Sequence, residues 1–344
     1  MAISKRIVYF DFLNVLACIA VIGMHCNGYA HNFDGSVLWK QSMAIEALAY
    51  WAVPVFFMVS GATLVNYRKK YSTKEFFEKR IKKTLIPFIV WTLGMLVYKL
   101  ITGAIVWQGK KAFIDLFLNC KIEGVYWFFI PLFMIYLCMP VLSKLADDKN
   151  LFSYMVILGA VFCILMPFVS VMFDISYNSN LYFPIGRGYI LYVLVGFLLA
   201  NTEIKLPLRL VIYFAGVGGI LLRYLHTVQQ SMVDGSVNQL TWGYNALPCF
   251  TAAVAVFVFA KYAVENHVSS ESLFAKILSY LSGATFGIYL MHVFVMRNLI
   301  SVFDIDNRLL WWRLGGPIIL FVICLVGVKI IQKIPVIGKY IIPS

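Results

Sequence analysis

The sequence is poor in charged residues, and acidic side chains are scarcer than basic ones. Only 13% of the 344 residues are charged, and 16 Asp and Glu stand against 29 Lys and Arg. A long polar stretch, a low-complexity tract and an obvious repeat are also missing. With 61% hydrophobic residues and a mean hydropathy of +0.83, the composition lies outside the range of soluble globular proteins. It predicts one membrane domain covering residues 1–344.

No two cysteines have the C-x-x-C spacing, and their number, seven, is odd. Most of them lie inside apolar runs, where cysteine is most simply a small buried side chain. The sequence therefore indicates neither a disulfide framework nor a zinc site, and we expect no metal. The first apolar run also lacks a clear small-x-small cleavage site and is too long for a signal peptide, so we expect a retained span.

Ten apolar runs are long enough to cross a hydrocarbon core of about 30 Å. The predicted fold is therefore an all-α polytopic membrane protein with about ten transmembrane helices. The runs lie near 8–27, 44–66, 84–106, 125–142, 151–173, 182–200, 207–224, 242–264, 277–300 and 311–332.

The basic residues predict the orientation of these spans. With a cytoplasmic N-terminus and ten spans, nineteen Lys and Arg fall in cytoplasmic segments and eight in outer ones. This bias predicts that both termini are cytoplasmic, in a multi-pass protein of the cell membrane. It also accounts for the net charge of +13, because insertion alone places basic residues in short inner loops. We therefore expect lipid as a partner and no nucleic acid.

The first run carries polar side chains along one side. At about 100° per residue, Asp11, Asn14, Cys18 and His25 fall within a stripe about 60° wide. Such groups cost several kcal/mol in lipid unless they face other helices or a wet cavity. The first span therefore predicts one wall of a polar interior, with His25 at its far end.

A similar stripe in the ninth run contains Ser282, Thr285, Tyr289 and His292. The helical rise of 1.5 Å per residue puts His292 at nearly the depth of His25. Each histidine has a plainer interpretation as a hydrogen-bonding residue between helices.

Two charged residues fall near the outer ends of other spans, Glu46 in the second and Arg187 in the sixth. They have the plainer interpretation of interfacial residues or a structural ion pair. Whether they meet the two histidines depends on helix packing.

The segment from Arg68 to Lys83 contains eight basic residues. A topological signal is sufficient to explain it. The alternative is a phosphate site, because Arg80, Lys82 and Lys83 directly precede a helix predicted to resume at Thr84. Charge pairing and unpaired backbone N–H groups would then favour an anionic cofactor there.

These residues together resemble the acyltransferase-3 family of integral-membrane acyltransferases. The opening Asp-x-Leu with a later histidine is matched by Asp11, Leu13 and His25. The family's later elements are matched, in order, by FFMVSG at 56–61, KRIKKTLIP at 79–87, VYWFFIPLFMIYLCMPVL at 125–142 and FGIYLMH at 286–292. The sequence departs from the family where Asn14 replaces an arginine and where Lys83 replaces the second arginine of the basic pair.

The resemblance implies an O-acetyltransferase-like enzyme. Such an enzyme moves an acyl group, usually acetyl from cytoplasmic acetyl-CoA, to an extracytoplasmic hydroxyl of a cell-envelope polysaccharide or lipid-linked sugar. The candidate catalytic residues are His25, His292 and Glu46. His25 suits either a general base or a transient acyl carrier.

The same resemblance implies binding residues at both ends of a route through the membrane. Arg80, Lys82 and Lys83 would hold the phosphates of the acyl donor, with Asp11 and Asn14 along the route. The candidate acceptor-binding residues are Tyr126, Trp127, Arg187 and Tyr289. Tyr126 and Trp127, which would stack on a sugar, are also typical of a membrane interface.

Two further interpretations remain open at the level of sequence. Polar stripes inside spans also line transport pathways, so a polysaccharide or small-solute exporter is the alternative function. A non-catalytic membrane partner in an envelope-synthesis complex is the third.

Overall fold

The computed structural model describes residues 7–335 and 338–343. Regular structure in these residues is entirely helical. The α-helices are α1 (Val8–Cys26), α2 (Val37–Ala49), α3 (Ala52–Leu64), α4 (Thr73–Arg80), α5 (Ile86–Ile101), α6 (Lys110–Leu118), α7 (Phe129–Leu145), α8 (Lys149–Ala160), α9 (Met166–Met172), α10 (Ile190–Ala200), α11 (Leu206–Asp234), α12 (Leu247–Glu265), α13 (Leu273–Ser282), α14 (Thr285–Phe303), α15 (Leu310–Gln332) and α16 (Gly338–Ile341).

Within the described residues, nine helical stretches are long and apolar enough to cross a membrane. Several combine neighbouring helices, such as Thr73–Ile101 and Lys149–Met172. The predicted all-α polytopic membrane fold is therefore confirmed.

Helix α1 lies in the middle of this bundle and contacts α2, α3, α12, α13, α14 and α15. Its polar stripe is largely enclosed, since Asp11 is 6% exposed and Cys18 is 1% exposed. Asn14 donates a hydrogen bond of 3.3 Å to the Ser282 hydroxyl. The enclosing helices thus supply the polar partners that lipid could not.

The second predicted span is divided between α2 and α3, with a turn at Tyr50 and Trp51. Pro54 lacks the N–H that would bond to the Tyr50 carbonyl in a continuous helix. The Cys249 thiol donates to that carbonyl instead, at 3.6 Å. The Tyr50 carbonyl is therefore hydrogen-bonded despite the turn, and the free-energy cost of an unpaired carbonyl is avoided there.

The expectation of a new helix starting at Thr84 is wrong. The chain runs continuously from α4 into α5 through a π-helical segment, Ile81–Leu85. There the Ile86 N–H bonds to the Ile81 carbonyl, five residues back. Pro87 has no N–H to continue the α-helical pattern, which accounts for the wider turn. The unpaired N–H groups expected at Thr84 are therefore not available to a phosphate.

Two other predicted spans also differ in their bounds. The sixth was expected over 182–200, but α10 starts at Ile190, because Pro184 and Gly188, with φ +74°, interrupt the helix before it. The ninth, expected over 277–300, is broken at Gly283 and Ala284 between α13 and α14. Each break lies close to a candidate site residue.

Helices α3 and α10 cross at two glycines. A Cβ at Gly61 would lie 2.0 Å from the Val193 carbonyl oxygen, and one at Gly196 would lie 2.1 Å from that of Met58. Backbone approach this close admits only glycine at both positions. The Ser-Gly that ends the FFMVSG motif is thereby explained by packing.

We expect Gly196→Ala to lower the free energy of unfolding by about 1–3 kcal/mol, since the added methyl meets backbone rather than a movable side chain. Gly218→Ala in α11 is the matched control, because a Cβ there meets nothing within 4 Å. Unfolding in mixed detergent, followed by circular dichroism, measures both. Equal stability of the two variants would contradict the tight crossing.

Candidate active site

The structure brings His25 and His292 together from α1 and α14. Their ring centroids are 5.1 Å apart, with an angle of 44° between the planes. His25 is partly exposed, whereas His292 is fully buried. The pair is therefore approachable through His25.

Hydrogen bonding fixes the tautomer of His292. Its Nδ1 lies 2.7 Å from the Tyr289 carbonyl, which can only accept, so Nδ1 carries the proton when the ring is neutral. Its Nε2 has no hydrogen-bond partner among the described residues. The lone pair of His292 Nε2 is thus available for proton exchange with His25.

A 3₁₀ segment, Gly124–Phe128, is hydrogen-bonded to α14, the helix that carries His292. The Tyr126 hydroxyl donates to the Leu290 carbonyl at 2.7 Å, and the Tyr289 hydroxyl donates to the Val125 carbonyl at 2.6 Å. Tyr126 is 1% exposed. It therefore holds the segment in place and has no free ring face for a sugar, while Trp127 remains partly exposed.

A cavity of about 230 Å³ has both Arg80 and Tyr289 in its wall. Arg80, Thr63 and Tyr136 line one part of it, and Phe128 and Tyr289 line another. The Tyr289 ring then contacts the His292 ring, with centroids 5.5 Å apart. The cavity and the imidazole pair are thus separated by one tyrosine side chain.

The three predicted phosphate-binding residues differ in position. Arg80 is partly buried and lines the cavity, and its buried Nε has no hydrogen-bond partner in the described part of the chain. Its guanidinium lies 5.7 Å from the centroid of the Tyr136 ring. Lys82 and Lys83 are exposed on the adjoining surface. Of these three residues, Arg80 is therefore the one whose cationic group reaches the interior.

The polar stripe of α1 contributes unequally to the cavity. Asn14 lines it, together with Ser60 and Thr285. Asp11 and Cys18 are buried in helix contacts instead, with the Cys18 thiol 3.9 Å from the Thr285 carbonyl. Across the described residues, no group of three or more His, Cys, Asp or Glu side chains is arranged to hold a metal ion.

A family model described as an acyltransferase domain, Acyl_transf_3, matches residues 7–328. The chain belongs to the acyltransferase-3 family. The matched range contains both histidines and the whole cavity, so this membrane protein is an acyltransferase by family. Searches of curated proteins and of solved structures found no match.

Two predicted site residues of this acyltransferase lie in other surroundings. Glu46 is 3% exposed and interacts with Asn27 and Arg223. Arg187 was expected inside the sixth span, but it is exposed in the loop before α10, with its guanidinium 4.3 Å from the centroid of the Tyr182 ring. The structure therefore groups neither residue with the two imidazoles.

The sequence reasoning missed a charge cluster at the start of the 3₁₀ segment. Glu123 is 2% exposed, and its Oε2 lies 2.8 Å from Arg297 Nη1 and 3.2 Å from Lys99 Nζ. Arg297 follows His292 by five residues on α14. The usable signal was Lys99 itself, since a lysine within a span requires a nearby carboxylate.

We expect Glu123→Gln to lower the free energy of unfolding by about 1–3 kcal/mol, because two cations lose their buried carboxylate. The control is Asp115→Asn, whose ion pair with Lys121 has the same 2.8 Å length but more than half-exposed side chains. There we expect less than about 1 kcal/mol. Denaturation in detergent compares the two, and an equal loss would contradict a buried cluster.

Proposed function

We propose that this acyltransferase moves an acetyl group from cytoplasmic acetyl-CoA to a hydroxyl group on the extracytoplasmic side. The acceptor would be a cell-envelope polysaccharide or a lipid-linked sugar. In this proposal both termini are cytoplasmic and the protein lies in the cell membrane. Arg80, Lys82 and Lys83 then face the acetyl-CoA pool.

The observation that carries the proposal is the cavity between Arg80 and Tyr289. A donor whose phosphates are held at a basic surface needs a narrow passage for its thioester arm. The cavity offers one, with apolar and hydroxyl-bearing walls and with the His292–His25 pair directly beyond Tyr289. Movement of the Tyr289 ring would bring the thioester to the imidazoles.

Arg80 can also take the role of the family arginine that this sequence lacks. Asn14 stands where the family has that residue, yet Asn14 and Arg80 line the same cavity. The unpaired Nε of Arg80 fits an anionic ligand, because a buried N–H donor without a partner is costly. We therefore assign the role of donor-binding cation to Arg80.

The chemistry needs one proton acceptor and one proton donor. His25, as general base, takes the proton of the acceptor hydroxyl as its oxygen attacks the thioester carbonyl. The carbon–sulfur bond breaks, and the departing thiolate takes up the proton to leave as CoA. In the variant route a His25 nitrogen attacks the thioester carbonyl, the carbon–sulfur bond breaks, and CoA leaves as the thiol with the proton that the ring loses. The acceptor oxygen then displaces the imidazole, which takes up the hydroxyl proton.

His25→Ala should reduce acetyl transfer by about 10²–10⁴-fold, the usual contribution of a positioned acid–base group. The assay follows labelled acetyl from acetyl-CoA into envelope glycans in membranes, together with release of CoA. His267→Ala, on a loop histidine exposed to solvent, should retain activity. Wild-type turnover by His25→Ala, or solute export by vesicles without acetyl-CoA, would contradict the proposal.

Arg80→Gln should raise the KM for acetyl-CoA by at least about tenfold, because a partly buried charge-assisted bond is lost. Lys74→Gln is the control on the same helix, since Lys74 is exposed. Cysteine-accessibility labelling of a loop checks that the orientation in the membrane is unchanged. Equal KM values would reduce Arg80 to part of a topological signal.

A further inference from the structure

Glu123 is a buried carboxylate that uses only one of its two oxygens. Its side chain is 2% exposed, and Oε2 lies 2.8 Å from Arg297 Nη1 and 3.2 Å from Lys99 Nζ. Oε1 is buried too, and it has no hydrogen-bond partner among the described residues. A buried acceptor without a partner costs free energy, and native structures keep such groups mainly where they have a further role. Glu123 is therefore a candidate for more than ion pairing.

The backbone and the side chain of Glu123 are both tied to the helix that carries His292. The Glu123 carbonyl accepts a hydrogen bond of 3.0 Å from the Tyr126 N–H, at the start of the 3₁₀ segment. That segment is bonded twice to α14, through the Tyr126 and Tyr289 hydroxyls. Arg297, the side-chain partner, also lies on α14, five residues after His292. The position of the carboxylate relative to His292 is thus fixed from two sides.

The charges around His25 come from three elements. His25 interacts electrostatically with His292 and Arg297 of α14, with His31 in the turn after α1, and with Glu123 before the 3₁₀ segment. Burial lowers the pKa of His31, so that ring adds no charge near neutral pH. The Arg297 side chain is 55% exposed, so water screens its charge more than that of the buried carboxylate. Among these four groups, Glu123 is the one with a negative charge.

Both proposed routes need such a charge, because each makes the His25 ring positive for a time. As general base the ring becomes an imidazolium, and as acyl carrier it becomes an acyl-imidazolium. An isolated cation is strongly disfavoured in a medium of low dielectric constant. A fixed carboxylate within electrostatic reach offsets that cost, as the aspartate of a serine-protease triad does for its histidine.

We propose that Glu123 is a positioning residue of the candidate active site, whose carboxylate stabilises the positive charge formed on His25. This inference rests on the proposed function and deepens it. Lys99 and Arg297 then fix the carboxylate in place rather than bind a substrate. Glu123 itself makes and breaks no covalent bond, since the proton passes from the acceptor hydroxyl to His25 and on to the departing thiolate.

Opposite charges in the cluster should move the pH dependence in opposite directions. Glu123→Gln makes the imidazolium less stable, so the acidic limb of the kcat/KM profile should move to lower pH by at least about half a unit. Arg297→Gln removes a positive charge and should move the same limb to higher pH. A purely structural role predicts no such reversal, because both variants break the same 2.8 Å ion pair.

Two further variants separate charge from stability. Glu123→Asp keeps the charge on a shorter side chain, so it should restore most of the limb position even where the protein unfolds more easily. Asp115→Asn is the matched control, because its ion pair with Lys121 is also 2.8 Å long but more than half-exposed, and it should leave the limb in place. On the plateau, Glu123→Gln should lower kcat/KM about two- to tenfold, since a weaker base transfers the proton less readily.

Two measurements keep this inference apart from the proposed function. Release of CoA from acetyl-CoA in membranes gives the pH profile. NMR of the full chain in detergent micelles, with ¹³C-labelled histidine rings, follows the titration of His25 without turnover. The chain has five histidines, and His25→Gln identifies the resonance.

The outcomes are distinct. Turnover with the Glu123→Gln limb at the wild-type position, limbs of Glu123→Gln and Arg297→Gln that move together, or a wild-type profile without a limb above about pH 5 would overturn the inference and keep the proposed function. Opposite NMR shifts in a protein that releases no CoA would overturn the proposed function and keep Glu123 as the charge partner of His25. If Glu123→Gln does not fold, Arg297→Gln decides by the direction of its shift.

Discussion

The structure depends on enclosing α1, because this helix carries a carboxyl, an amide and an imidazole through an apolar layer. In lipid those groups would be unpaired, at several kcal/mol each. Six neighbouring helices contact α1 instead, and α14 brings the His292 ring to 5.1 Å from the His25 ring. The same enclosure leaves a cavity lined by Asn14 and Tyr289, so the constraint that stabilises the first span also leaves open space next to the tyrosine that contacts His292.

Much of this could be read from the sequence, because periodicity and depth are local properties. The bounds of α1, the polar stripe and the equal depth of the two histidines follow from helical geometry alone. The sequence does not show which helix faces pack against one another. Glu46 and Arg187 were predicted near the outer ends of their spans, yet Glu46 interacts electrostatically with Arg223, and Arg187 lies in a loop beside Tyr182.

The hydrophobic pattern also could not predict the breaks in the helices, since a residue distant in the sequence decides whether each break is tolerated. The turn at Tyr50 depends on Cys249, about 200 residues later in the sequence, to satisfy one carbonyl. Such breaks place Tyr50, Trp127 and Tyr244 at segment ends, where their rings can stack. Non-helical backbone within the bundle therefore coincides with a candidate acceptor-binding residue, Trp127.

Two buried carboxylates of the bundle, Glu123 and Glu46, interact with cations. Glu123 is shared by Lys99 and Arg297, and Glu46 is opposed by Arg223. Two imidazolium ions 5.1 Å apart would repel strongly in this medium, so the histidine pair takes up at most one proton beyond the one that each neutral ring carries. One proton is what either route requires, because the group that takes it from the acceptor must return it to the thiolate.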